Sequence, residues 1–412
     1  MKGRDVRNQT AKAAVLVAAG ALVLAACGTN KTESGGGGGG QASCDQSKGT
    51  LVVGVISPLT GELSALGKGI ENSTRLAVDQ ANEKCAVKGY KLAVDAQDDQ
   101  KNPTLGAQAA TKLSTDPNVV GVVGTLNSSV AQSVQPILAQ KKILQISPAN
   151  TNDTLTKGKD FATAPKRQFD TYFRTCTVDS LQGPTAADYL TKKAGKKAIA
   201  IVTDGLTYGE GLADEVTKQA QKNGAKVVTR EKVGEKDTDF SGVIAKIKPT
   251  NPDALFFGGQ YPQAGPLSKQ LKNAGINIPV MGGDGIFDDK FIELGGKDGD
   301  LATSVGAPTE SLDSAKAFVE AYKAKNYKEG FSAYGAFSYD AANAIIGSLA
   351  TTLNGGDWSD SKRADLLTNV GKYKSGGATG EIAFDQYGDS TNKVLTVYQV
   401  SSGKWSAVET TG

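Results

Sequence analysis

The chain has 412 residues, with 46 Lys and Arg against 43 Asp and Glu, a net charge of +3, and no histidine at all. Without histidine there is no Ser-His-Asp or Cys-His nucleophile machinery and no His-ligated metal. The interspersed charges form no basic stripe, so nucleic acid is not an expected partner.

The N-terminus carries Lys2, Arg4, Arg7 and Lys12, then an apolar run over 13–26 broken only by Gly20. A basic segment followed by a short apolar one reads as a secretory signal over 1–26. The run is shorter than the ~20 residues that a membrane-spanning helix requires. It ends in Leu24, Ala25 and Ala26 before Cys27, an arrangement that resembles a bacterial lipobox, with Cys27 lipidated. Residues 27–49, including six consecutive glycines at 35–40, read as a flexible tether. About 16 Gly/Ser-rich residues give a reach of roughly 20–24 Å. An exported chain can hold a disulfide. Cys44 precedes the first predicted strand and Cys85 ends the first predicted helix, so the two are expected to pair. That leaves Cys176 as a buried thiol. The cysteines lack metal-site spacing, and no metal is expected.

From residue 50 the chain alternates strand-like and helix-like segments. Strands are expected at 50–57, 91–99, 118–124 and 143–147, with helices at 65–84, 102–115 and 128–142 between them. Asn102 and Pro103 are a helix-start pair, and Pro136 is expected to kink or break the third helix. The rhythm restarts near 180, with strands at 197–204, 254–259 and 279–283. The stretch 301–308 reads as a crossover. Two helices follow at 311–326 and 334–354, and strands at 380–389 and 393–405 close the chain. Continuous apolar strands separated by helices predict an α/β protein with two doubly wound parallel-sheet lobes.

Ligands of open α/β sheets bind beyond the carboxyl ends of the strands. Asn127, Ser128 and Ser129 follow 118–124 at a helix start, which suits an anion. Taken alone, that stretch reads first as an ordinary N-cap. Ala149 and Thr151 follow 143–147, with a backbone and a hydroxyl to offer. Tyr208 follows 197–204, Gln260 and Tyr261 follow 254–259, and Asp284 follows 279–283 among glycines. A carboxylate there suits a ligand ammonium, or is only a turn residue. Hydroxyls and a helix end on one lobe, with an aromatic and an acid on the other, fit a small zwitterion. No Walker A or GxGxxG fingerprint occurs, so no nucleotide cofactor is expected. Asp95, Asp98 and Asp99 leave a carboxylate hydrolase as a minor alternative.

At these residues the sequence resembles the branched-chain amino-acid (Leu/Ile/Val) binding proteins of bacterial ABC importers, in lipoprotein form, over about 50–405. The resemblance is carried by "FRTCTVDSLQGPTAADYL", "IAIVTDGLTYGEGLA", "FFGGQYPQAG" and "VMGGDG", in order and at fitting spacing. It implies a type I periplasmic-binding fold with a three-crossover hinge. Lobe 1 would be 50–177 plus 308–387, and lobe 2 would be 178–307 plus 388–412. It implies a carboxylate site at Ser128, Ala149 and Thr151, an aromatic at Tyr208, and an ammonium partner at Asp284. Gln260 and Leu66 stand where many members carry aromatics, so both are expected to line the side-chain pocket. The expectation is a monomeric, lipid-anchored, extracytoplasmic solute-binding protein without cofactor or catalysis, delivering an amino acid to an ABC permease. A binding protein for an amide, urea or another amino acid, or a sensor without a transport role, remains the alternative.

Overall fold

The computed structural model describes residues 44–412, so Cys27, the signal segment 1–26 and the tether up to residue 43 lie outside the described residues. The first half of the described chain is strand–helix alternation. It runs β1 (Thr50–Ser57), α1 (Ser64–Glu83), β2 (Lys91–Asp98), α2 (Pro103–Thr115), β3 (Val119–Gly124), α3 (Ser128–Gln140), β4 (Leu144–Ser147), α4 (Thr154–Lys157) and β5 (Tyr172–Arg174). These strands form one parallel sheet in the order β2-β1-β3-β4-β5. Val119 to Gly124 are buried throughout, as a central strand covered by helices on both faces requires.

The second run is α5 (Asp179–Asp188), β6 (Ala198–Thr203), α6 (Thr207–Lys222), β7 (Lys226–Lys232), α7 (Ser241–Ile247), β8 (Ala254–Gly258), α8 (Tyr261–Asn273), β9 (Val280–Gly282), α9 (Asp289–Leu294) and β10 (Leu301–Val305). The chain then adds α10 (Lys316–Ala324), α11 (Gly335–Leu353) and α12 (Arg363–Gly371), of which α10 and α11 pack on α1 in the first lobe. A small hairpin, β11 (Lys374–Gly377) and β12 (Gly380–Ala383), precedes β13 (Leu395–Ser401) and β14 (Lys404–Thr411). The second sheet has the order β14-β13-β10-β9-β8-β6-β7. The chain therefore passes between the sheets three times, after β5, after β10 and before β13.

Several local expectations are corrected. The stretch 301–308 is not simply a crossover: Leu301–Val305 is strand β10, parallel to β9 and buried. The second lobe is not purely parallel, because β13 pairs antiparallel with β10, and β14 with β13. The strand expected at 393–405 is a hairpin. Ser402 and Gly403 both have positive φ, at 52° and 72°, the geometry of a two-residue I′ turn. Helix α3 runs through Pro136, whose ring falls on the exposed face, where a lost backbone bond is tolerated. Asn102 caps α2 as expected, accepting from the N–H groups of Thr104 and Leu105.

Cys44 and Cys85 are joined in a disulfide with Cα atoms 5.4 Å apart, which closes the start of the described chain onto the end of α1. Cys176 is a free, buried thiol. Two of the acids weighed for a hydrolase accept backbone N–H groups, Asp99 from Lys101 at 2.9 Å. Asp98 accepts from the N–H groups of Leu59, Thr60 and Gln100. Asp99 is fully buried with one oxygen unpartnered, and burial pushes its carboxyl up to about 7. This raised value makes a stability prediction. The folded state holds a proton that the unfolded chain, titrating near 3.9, has released. Stability should therefore fall as pH rises from about 4 to about 7, by about 4 kcal/mol at most. Asp99→Asn should remove that slope, measured as urea midpoints at pH 5 and pH 8. A slope equal to that of the parent would reject the assignment.

Candidate functional site

The loops that follow β3, β4, β6, β8 and β9 meet where the two lobes face each other. In the first lobe, Ser147 knits two of them together. Its hydroxyl donates to the Thr125 carbonyl at 2.9 Å and accepts from the N–H groups of Ala149 and Asn150. Asn150 in turn donates to the Leu126 carbonyl at 2.8 Å. These bonds fix Asn127 and Ser128 beside Ala149 and Thr151.

Asn127 stands at the N-cap position of α3, yet its side chain makes no cap bond, and its buried Oδ1 has no partner. The ordinary-cap reading of this stretch is thus overturned. Ser128 and Thr151 are 2% and 0% exposed, and the Thr151 hydroxyl has no partner either. First-turn N–H groups have no partner within a helix and carry partial positive charge. This buried, uncapped end, flanked by two hydroxyls, has the chemistry that suits an anion.

The opposite pole is centred on Asp284, 1% exposed. The Tyr208 hydroxyl donates to its Oδ1 at 2.7 Å, and the Tyr334 hydroxyl to its Oδ2 at 2.8 Å. The Asp284 N–H donates to Gln182 Oε1 at 2.8 Å, and that oxygen also accepts from Thr303 at 2.7 Å. The packing is tight: a Cβ on Gly283 would collide with the Tyr208 hydroxyl, and one on Gly285 would lie 2.8 Å from the Gly259 carbonyl. Burial raises the Asp284 carboxyl, opposed by its phenol donors. Burial, then the charge of Asp284, holds both phenols well above their usual range, so they remain neutral donors. The bonding partners of Asp284 are phenols and not cations. A buried carboxylate of this kind is stabilised by an incoming ammonium.

Between the poles lie apolar and amide side chains. Leu66, in the first turn of α1, is 1% exposed and packs in one apolar cluster with Leu126, Ala149 and Tyr334. Gln260 is buried at the start of α8, with Oε1 unpartnered. Tyr261 points elsewhere, and its hydroxyl donates to the Glu62 carbonyl at 2.5 Å, across the lobes. Further ties across the lobes are Asn152 to the Thr207 carbonyl at 3.0 Å, Thr207 to Gln132 at 3.0 Å, and Lys101 to Glu235 at 3.2 Å. The lobes are closed on each other.

All eight residues expected at the site are buried at this junction. Three more buried polar residues adjoin them. Gln182 and Asp179 follow β5, a strand of only three residues, too short to announce itself. Tyr334 precedes α11 and follows no strand, so inspection of strand ends passes it by.

The chain belongs to the periplasmic binding protein family, whose model matches residues 50–404. These are solute-binding proteins with the type I periplasmic fold. Within that class the chain belongs with the branched-chain amino-acid binding proteins. It is 32% identical over 361 residues to the Leu/Ile/Val-binding protein BraC3 of Rhizobium johnstonii, covering 87% of this chain and 94% of that protein. The leucine-binding protein LivK of Thermotoga maritima superposes with a TM-score of 0.77 at 27% identity, covering 87% of this chain and 98% of the other. LivJ of Streptococcus pneumoniae, solved with isoleucine, also gives 0.77 at 27% identity, covering 88% and 99%.

Proposed function

We propose that this protein captures a free α-amino acid, branched-chain aliphatic in preference, and hands it to an ABC import permease. The observation that carries the reading is the pairing of opposite poles at one lobe junction. An uncapped helix start with Ser128 and Thr151 suits a carboxylate, and Asp284 with two phenol donors suits an ammonium. Leu66 is a buried aliphatic residue where many relatives are expected to carry an aromatic, which is consistent with an aliphatic ligand side chain. In this reading the protein is an extracytoplasmic monomer, anchored through lipidated Cys27 on a glycine-rich tether. The lobes are 50–177 plus 308–387 and 178–307 plus 388–412, and they hinge at the three crossovers. Opening returns Asp284 to water, whereas closing without a cation strands its charge. Ligand thereby shifts the population toward the closed form.

A second reading is a more polar solute, such as an amide-bearing amino acid, for which the unpartnered Gln260 Oε1 offers an acceptor. Calorimetric titration of ligand-stripped protein with the twenty amino acids, urea and small amides separates the two. Heat with leucine, isoleucine or valine supports the first reading, heat only with amide-bearing solutes the second, and heat with none of these rejects both. Ser128→Ala removes one donor to the ligand carboxylate. It should weaken leucine binding roughly 10- to 100-fold, the scale of a hydrogen bond to a charged group. An unchanged Kd would remove Ser128 from the site.

A further inference from the structure

A cavity of about 540 Å3 lies against the crossover that leaves β10, and no residue of the solute site lines it. Its walls come from both lobes. Ala65, in the first turn of α1, and residues 329–333, which lead into α11, form the first-lobe wall. The second-lobe wall is the segment after β9 together with Tyr398 of β13 and Trp405 of β14. The volume falls in the range of small-ligand sites, roughly 300–1,000 Å3. Part of the lining is aromatic. Phe287 stacks on Tyr398 with ring centroids 4.0 Å apart and meets Trp405 at 5.6 Å. The Trp405 indole N–H donates to the Asp288 carbonyl at 3.1 Å, which fixes the ring. Ser304 and Tyr398 line the cavity at 6% and 8% exposure, and their hydroxyls make no hydrogen bond among the described residues. A buried hydroxyl without a partner is costly until a polar group reaches it.

The rest of the lining is acidic. Asp288 and Asp289 stand on the second-lobe wall, Glu310 on the crossover and Glu329 on the first-lobe wall. Lys290 is the one cation of the lining, and Glu293 takes it at 2.6 Å. Asp289 and Glu329 make no ion pair among the described residues. Burial, then the charges of Asp288, Glu62, Glu329 and Glu293, hold the nearby Tyr261 phenol above its usual range, which marks the negative field here. Carboxylates on opposite walls, with ring faces between them, match a cation charged at both ends of a hydrocarbon body. Its ammonium groups would pair with the carboxylates and donate to the free hydroxyls, while its methylenes lie along the rings.

We propose that this cavity is a second ligand site, for an aliphatic diammonium cation held between Asp289 and Glu329 across the rings of Phe287 and Trp405. The occupant touches both lobes and so favours the closed arrangement. The proposal stands apart from the solute reading above, because the two sites share no residue.

The test is calorimetric titration of the full-length protein with 1,5-diaminopentane and with 1,5-pentanediol, which has the same chain without the charges. The diammonium should give saturable heat and the diol none. Asp289→Asn and Glu329→Gln should each weaken diammonium binding roughly 5-fold, the upper scale of an exposed ion pair, and the double variant roughly 25-fold. Neither carboxylate holds another residue in place, so the variants should fold as the parent does. No saturable heat with the diammonium overturns the proposal, and so does equal binding of the diol. Variants that bind the diammonium with parental affinity overturn it as well, since the cation would then sit elsewhere, as at Asp284.

Discussion

Asp284→Asn is expected to weaken binding of a branched-chain amino acid by ~2–5 kcal/mol, the cost of removing one partner of a buried, hydrogen-bonded charge pair. By calorimetry that is a loss of roughly 30- to 5,000-fold in Kd. Asn keeps the shape and one acceptor oxygen, so the Tyr208 hydroxyl still has a group to donate to. The variant's amide nitrogen is a donor facing the Tyr334 hydroxyl, which must then rotate to accept. The fold should therefore persist while the charge is lost. A second outcome follows from the same electrostatics. Closing the parent's lobes buries a carboxylate among phenols, raised by desolvation. The Asn variant carries no such penalty, so it should close more readily without ligand. Small-angle scattering of ligand-free protein would show this as a smaller radius of gyration. An Asn variant that binds leucine with parental affinity would show that Asp284 is only a turn residue.

The second large effect is expected at the hinge. Arg174 and Asp389 are both fully buried, and Arg174 Nε lies 2.6 Å from Asp389 Oδ1. Lys157 adds a second cation at 2.9 Å. The guanidinium also donates to the carbonyls of Asn150 and Asn152 at 2.7 and 2.9 Å, and to the Thr156 hydroxyl. The Arg174 N–H donates to the Gly388 carbonyl at 2.9 Å. One ion cluster therefore ties the end of β5, the loop that carries Thr151, and the strand approach to β13. Such a pair is weak evidence for net stability, but breaking it strands a buried charge and costs about 3–5 kcal/mol. Asp389→Asn should lower the unfolding free energy by that amount in urea titration, with some loss of ligand affinity through displacement of the 149–152 loop. The pH dependence has a definite sign. The two cations hold the Asp389 carboxyl far below its usual range. Its contribution is present above the unfolded value of about 3.9 and is lost as pH falls below it. The parent should therefore lose stability on acidification below about pH 4 more steeply than the variant. Parallel acid limbs would reject the role.

The alternation of apolar strands with helices was legible in the chain because both periods are local properties. So was the placement of polar residues after strands: Ser128, Thr151, Tyr208 and Asp284, each read from a strand end, all lie buried at the lobe junction. Short elements were not legible. Three residues of β5 carry no periodicity, which hid Asp179 and Gln182 behind it. The strand β10 ends at Val305, just before Gly306, and resembled a linker, because its burial depends on β9 and β13 lying on either side. Nor could composition tell that Tyr261 points across the lobes to Glu62 while Tyr334 takes the place beside Asp284.

By itself, then, the sequence determined the class of fold, the strand ends at which the candidate residues stand, and the absence of histidine chemistry. These follow from residue identity and near-neighbour spacing. The tertiary structure alone decided that Asn127 leaves α3 uncapped, that Asp284 is held by phenols and not by a cation, and that three distant segments share one buried ion cluster. Each of these depends on which groups meet after desolvation. That meeting is set by the packing of segments far apart in the chain, about which local pattern carries no information.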